Sequence, residues 1–149
     1  MATSKVITAA EVGAVLAPVR GWLDGEPTEH SPSAASGDSS RPGAPDRRTL
    51  AIAVRTTLRA FAQAHPGKAV EVRVPPFAAV QCLAGGAHTR GTPPHVIETD
   101  PATWLRLATG RLAWSAAVAG ALVYASGHRT EEVGALLPMP AAIKCRHCP

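Results

Sequence analysis

Apolar positions first recur along the chain at helical spacing. Val12, Leu16, Val19 and Leu23 stand three or four residues apart, which predicts a short helix over residues 8–23. Thr8 followed by Glu11 fits a capping box, and Pro18 predicts a weakening or kink. Leu50, Val54, Leu58 and Phe61 form a second stripe. It predicts a helix from about Arg47 to Ala64, with Asp46 as N-cap and Pro66-Gly67 as its end. Arg48, Arg55 and Arg59 fall on the side opposite that stripe.

The period then changes to two. Val70, Val72 and Val74 alternate with Glu71 and Arg73, the pattern of a half-buried strand. Pro75-Pro76 breaks it, FAAVQCLA (77–84) is a second strand candidate before Gly85-Gly86, and the pair predicts an antiparallel hairpin. HVIET (95–99) gives a third strand. Asp100-Pro101 starts a helix, with Asp as N-cap and Pro at the first helical position, and Gly110 stops it. A short helix near Trp114–Ala119, a fourth strand at LVYAS (122–126) and a final helix EEVGALL, capped by Thr130 and ending before Pro138, complete the order. Because helices and strands do not alternate strictly, the expected class is α+β: helices packed on one face of a mainly antiparallel sheet of four or five strands.

Composition divides the chain. Residues 25–46, GEPTEHSPSAASGDSSRPGAPD, have nothing to bury and read as a flexible linker. It separates an N-terminal helical segment, 1–24, from a domain at 47–138, and residues 139–149 read as a tail. A chain of 149 residues buries about 68–70% of its unfolded surface and needs no staple to fold. The net charge is +4, with the basic excess in the domain. The arginines are scattered and aromatics make up 4% of residues. Nucleic acid is therefore not an expected partner, and contact with a membrane surface is transient at most. Three cysteines do not make a disulfide framework. With no membrane-spanning run and no secretory leader pattern, the expected location is the cytoplasm.

Three stretches together resemble a known family: VEVRVPPFAAVQC (70–82), HTRGTPPHVIETDPATWLRLATGRLAW (88–114) and AVAGALVYASG (117–127). They are similar to the bacterial branch of the sterol carrier protein type 2 family, including a Gly110-Arg111-Leu112 step after the helix. The resemblance covers roughly residues 46–138. It implies a curved sheet of about five strands with helices on one face and an apolar tunnel that holds sterols, fatty acids or acyl groups in better-known members.

An apolar ligand needs a wall of large side chains. Phe77, Val80, Trp104, Leu105, Leu112, Trp114 and Val118 are the candidates for that wall, and the same residues can instead close on one another as core. His88 and Arg90, in the polar stretch HTRGTPPH, are candidates for a polar head group. In the tail, Cys145, His147 and Cys148 are metal-ligand types, but a closed site would need a fourth ligand from Cys82 or His128, and no metal is expected. No G-x-S-x-G elbow appears, and the domain's carboxylates sit in strands or at helix starts, so neither catalysis nor a cofactor is expected. The expected function is non-catalytic binding of a lipid, fatty acid or acyl group. The alternative is a closed interaction module that dimerises or docks on an enzyme.

Overall fold

The computed structural model describes residues 5–25, 43–85 and 94–143. The N-terminal helix forms as α1, Ala9–Leu16, and Thr8 and Glu11 close the capping box in both directions. At Pro18 the helix tightens into a 3-10 turn, Ala17–Val19, before resuming as α2, Arg20–Leu23. Helix α3 runs Arg47–Ala64, and the Asp46 carboxylate accepts from the Thr49 N–H at 3.0 Å. Val54, Leu58 and Phe61 are buried along it, while Arg48, Arg55 and Arg59 are exposed.

Four strands follow: β1, Val70–Val74; β2, Ala78–Cys82; β3, His95–Thr99; and β4, Val123–Ser126. The sheet order is β2-β1-β3-β4. β1 pairs antiparallel with β2, opposite Val72 and Val80, and β3 pairs antiparallel with β4. The central pair, β1 with β3, is parallel, because the chain leaves β2 at one edge and returns on the far side of β1. The sheet is thus mixed, though mostly antiparallel, and four-stranded among the described residues; most of the 86–94 stretch where a fifth was conceivable lies outside them.

Val70, Val72 and Val74 point to the helical side, where they share one core with α1, α3 and α4. Glu71, Arg73, Glu98 and the exposed Tyr124 occupy the other face.

Helix α4, Pro101–Thr109, is capped by Asp100 and stopped by Gly110 in the left-handed region, φ 78°. That conformation is one a glycine adopts without a Cβ penalty. Helix α5 spans Trp114–Ala119 and α6 spans Thr130–Ala135. The start of α6 corrects one expectation. Thr130 is not the cap but the first helical residue, its hydroxyl donating back to the Gly127 carbonyl at 2.9 Å. The helix also stops at Ala135, two residues short of the expected end. A last short helix, α7, Pro140–Ile143, lies in the stretch read as tail and packs against α1 and α4.

Two arginines of the TWLRLATGRLAW stretch hold the N-terminal segment to the domain. Arg106 donates to the carbonyls of Leu23 and Gly25, and Arg111 pairs with Asp24 at 2.6 Å. Val12, Leu16, Val19 and Leu23 are buried in the common core, so residues 5–25 fold onto the domain.

Candidate functional site

An apolar groove opens where α1, the C-terminal end of α3 and α7 meet. It encloses about 330 Å³, near the lower limit of small-molecule sites. Phe61 closes its floor and Ala60 and Ala64 form one wall. Ile7 and Val12 come from the N-terminal segment, and Met139, Pro140 and Ala141 from the C-terminal side. The few polar groups are Thr8, Gln63 and His65. Gln63 accepts the Ile7 N–H through Oε1 at 3.0 Å, which ties the chain entering α1 to the end of α3. His65 sits 4.8 Å from the Phe61 ring, centroid to centroid. Met139 is anchored by its N–H, which donates to the Ala108 carbonyl at 2.9 Å.

The residues that sequence offered as a ligand wall are dispersed elsewhere, and none of the seven lines this groove. Trp104 and Leu105 lie at the centre of the core, 1% and 0% exposed. The Trp104 Nε1 donates to Thr57 Oγ1 at 2.9 Å, and its ring meets Phe61 edge-on at 5.8 Å. An indole with its N–H satisfied and its faces covered leaves no wall free. Leu112 is half-buried against the core between α4 and α5. Trp114 is half-buried too, donating to Glu131 at 3.0 Å. It lies so close to Gly134 that a Cβ there would stand 2.4 Å from the indole. Val118 is 40% exposed. Val80 faces inward from edge strand β2, half-buried. Phe77, in the turn between β1 and β2, is buried. His88 and Arg90 lie outside the described residues, as do Cys145, His147 and Cys148.

The Phe77 turn borders a second, polar groove of about 580 Å³, formed with Arg47, Arg48, Ala51, Ile52 and Arg55 of α3 and with Pro76. The Arg47 guanidinium lies 5.8 Å from the Phe77 ring centroid, and Arg55 Nε donates to the Phe77 carbonyl at 3.1 Å.

Cys82 and His95 are the titratable groups of the domain that burial perturbs first. Cys82 is fully buried, and burial pushes its thiol up to about 11, so it is protonated at neutral pH and a poor nucleophile. His95 opens β3 with Nδ1 unpartnered, stacked edge-on with His128 at 4.6 Å. Burial, then the charges of His128 and Arg129, holds its imidazole below the usual histidine range. Among the described residues no three His, Cys, Asp or Glu side chains gather as a metal site, and no helix is long and apolar enough to cross a membrane.

The groove lining escaped sequence reasoning because its pieces are individually weak signals. Val6 and Ile7 precede the first periodic stripe, Ala60 and Ala64 look like filler on a helix, and PMPAAI is too short to show a period. The only available pointer was the adjacency of Met139 and two prolines to the end of the domain.

No curated protein matches the chain. The family described as bacterial SCP ortholog matches residues 46–139. The match begins at the cap of α3 and takes in the sheet, α4, α5 and α6, while α1, α2 and α7 fall outside it. The apolar groove is therefore built half from the matched fold and half from segments flanking it. With well over half of its length matched and the α+β fold in place, the chain belongs to the bacterial SCP ortholog family, the bacterial sterol-carrier-like proteins.

Proposed function

We propose that the protein binds the apolar part of a small lipid, such as a fatty acid or acyl group, in the groove between α1, α3 and α7, without chemical change to it. The observation that carries this proposal is the groove itself: about 330 Å³ of mostly apolar space with three polar side chains on its lining, on a fold that belongs to a sterol-carrier-like family. Burial of methylenes supplies the affinity, at about 0.8 kcal/mol each. Thr8, Gln63 and His65 are the groups positioned to meet a carboxyl or ester end.

The location differs from the wall that the large apolar residues suggested, because the two tryptophans of that wall are not at the groove. Tryptophan emission is accordingly a poor reporter. The direct test is titration of delipidated protein with the fluorescent fatty acid cis-parinaric acid, alongside native mass spectrometry of protein as purified. Saturable one-to-one binding, displaced by unlabelled fatty acid, is the expected result. A linear, unsaturable signal together with a clean apo mass would sink the proposal.

A further inference from the structure

The exposed face of α3 carries a different kind of surface. Arg48, Ile52, Arg55 and Arg59 stand at i, i+4, i+7 and i+11, all exposed, a row about 16 Å long at 1.5 Å per residue. Arg47 adds a fifth side chain beside the Phe77 turn. Helix α3 contains no acidic residue. No carboxylate among the described residues forms an ion pair with Arg47, Arg48, Arg55 or Arg59. The nearest in sequence, Asp46, is engaged by Thr49 through both oxygens.

Two of these cations also oppose the helix they sit on. Arg47 and Arg48 are the first residues of an 18-residue helix, where the aligned peptide dipoles present partial positive charge and favour acidic side chains. Helix stability therefore does not account for them. Four guanidiniums without a carboxylate partner among the described residues, two of them at an electrostatic disadvantage, fit an external anion.

The geometry narrows the class of that anion. The row is longer than one carboxylate or phosphate can bridge, so an extended polyanion is required. Nucleic acid is disfavoured because the exposed aromatic of the described residues, Tyr124, stands on the far face of the sheet, leaving no stacking platform beside the arginines. A bilayer is disfavoured because Ile52 is the one large exposed apolar side chain of this surface, too little for an apolar face to insert. A second copy would bring the same cations against each other. An extended acidic peptide fits: the carboxylates on one of its faces repeat every 6.8 Å or so, so three of them span the row from Arg48 to Arg59.

We infer that the exposed face of α3 from Arg47 to Arg59, with the adjoining β1–β2 turn, forms a docking surface for an extended acidic segment of a partner protein. This site is separate from the apolar groove and does not depend on the lipid proposal.

The test is fluorescence anisotropy with a labelled peptide of four Glu-Leu repeats on the full chain, at low and high salt. Probes of four Lys-Leu repeats, phosphatidylglycerol vesicles and oligothymidylate run in parallel. The expected result is salt-sensitive binding of the acidic peptide that R48E/R59E weakens at least about tenfold and R48K/R59K leaves within about threefold. The melting temperature of R48E/R59E should stay level or rise, since the acid at position 48 now matches the helix dipole. A fall in melting temperature in R48E/R59E would make the arginines structural and overturn the inference. So would arginine-dependent binding of vesicles or oligothymidylate without peptide binding, or no binding of any probe.

Discussion

Helix α3 borders two apolar regions that its own sequence does not distinguish. Toward α4, Thr57 and Phe61 meet Trp104, and the space is closed: the indole is 1% exposed and its N–H is bonded. One turn further on, Phe61, Ala60 and Ala64 face about 330 Å³ of open groove. The side chains on both sides are of the same chemical kind. What differs is what stands opposite. α4 is a nine-residue helix capped at both ends, so it holds a large tryptophan in one place, pressed into α3. Across the groove stand the extended residues entering α1 and the four residues of α7, too short to present a filled ridge. Whether an apolar face becomes core or pocket is decided by the size and length of its neighbour, not by its own hydrophobicity.

The sharpest break of this contrast is Trp104→Ala. Removing a fully buried indole costs about 3–5 kcal/mol, a large share of the stability of an ordinary domain, so urea unfolding should shift to much lower denaturant concentration. Trp104→Phe should retain most of it. If Trp104→Ala were near neutral, the α3–α4 interface would be as loosely filled as the groove, and the contrast would vanish.

Cys82 reports on the closed side by reactivity. With Cys145 and Cys148 replaced by Ser, alkylation of the remaining thiol at pH 8 should run at least about a hundredfold slower in native than in unfolded protein. The rise from 9.0 to about 11 removes that much thiolate before burial restricts access. Native-state alkylation at the unfolded rate would place Cys82 in a region that opens.

Thr57→Val tests the side-chain hydrogen bond between Trp104 and Thr57 inside the closed region. It leaves the indole N–H buried without an acceptor, at a cost of about 1–3 kcal/mol, whereas Thr57→Ser keeps the oxygen and should cost less. Equal melting temperatures for the two variants would mean that the Trp104–Thr57 bond contributes nothing.

Much of this contrast's framework is legible in the sequence because the signals are local and strong. Asp46 and Pro66-Gly67 bracket α3, and its observed range is the expected one. The valine alternation at 70–74 becomes β1, and Asp100-Pro101 with Gly110 delimits α4. The parallel pairing of β1 with β3 is not legible, since pairing partners depend on where the chain returns after β2. The cap of α6 was misplaced because Thr130 has capping chemistry but turns its hydroxyl to Gly127 instead. The site was the least legible part. Trp104 and Leu105 carry the large apolar area expected of a ligand wall, and that same area is what makes them close into core. The groove arises from the meeting of three segments nearly fifty or more residues apart, each inconspicuous alone.

The smallest change in stability, and the most discriminating, is expected from Ala64→Trp. Ala64 ends α3 with its side chain exposed at the groove wall, so an indole there has open space to occupy and stability should move by no more than about 0.5 kcal/mol. Binding of cis-parinaric acid should nevertheless be lost, because the added ring fills the volume a chain would take. Retained binding with unchanged stability would move the ligand away from this groove. A loss of more than 1 kcal/mol or so would show that α1 and α7 press on α3 too closely to admit a ring, and the two sides of the helix would then be alike after all.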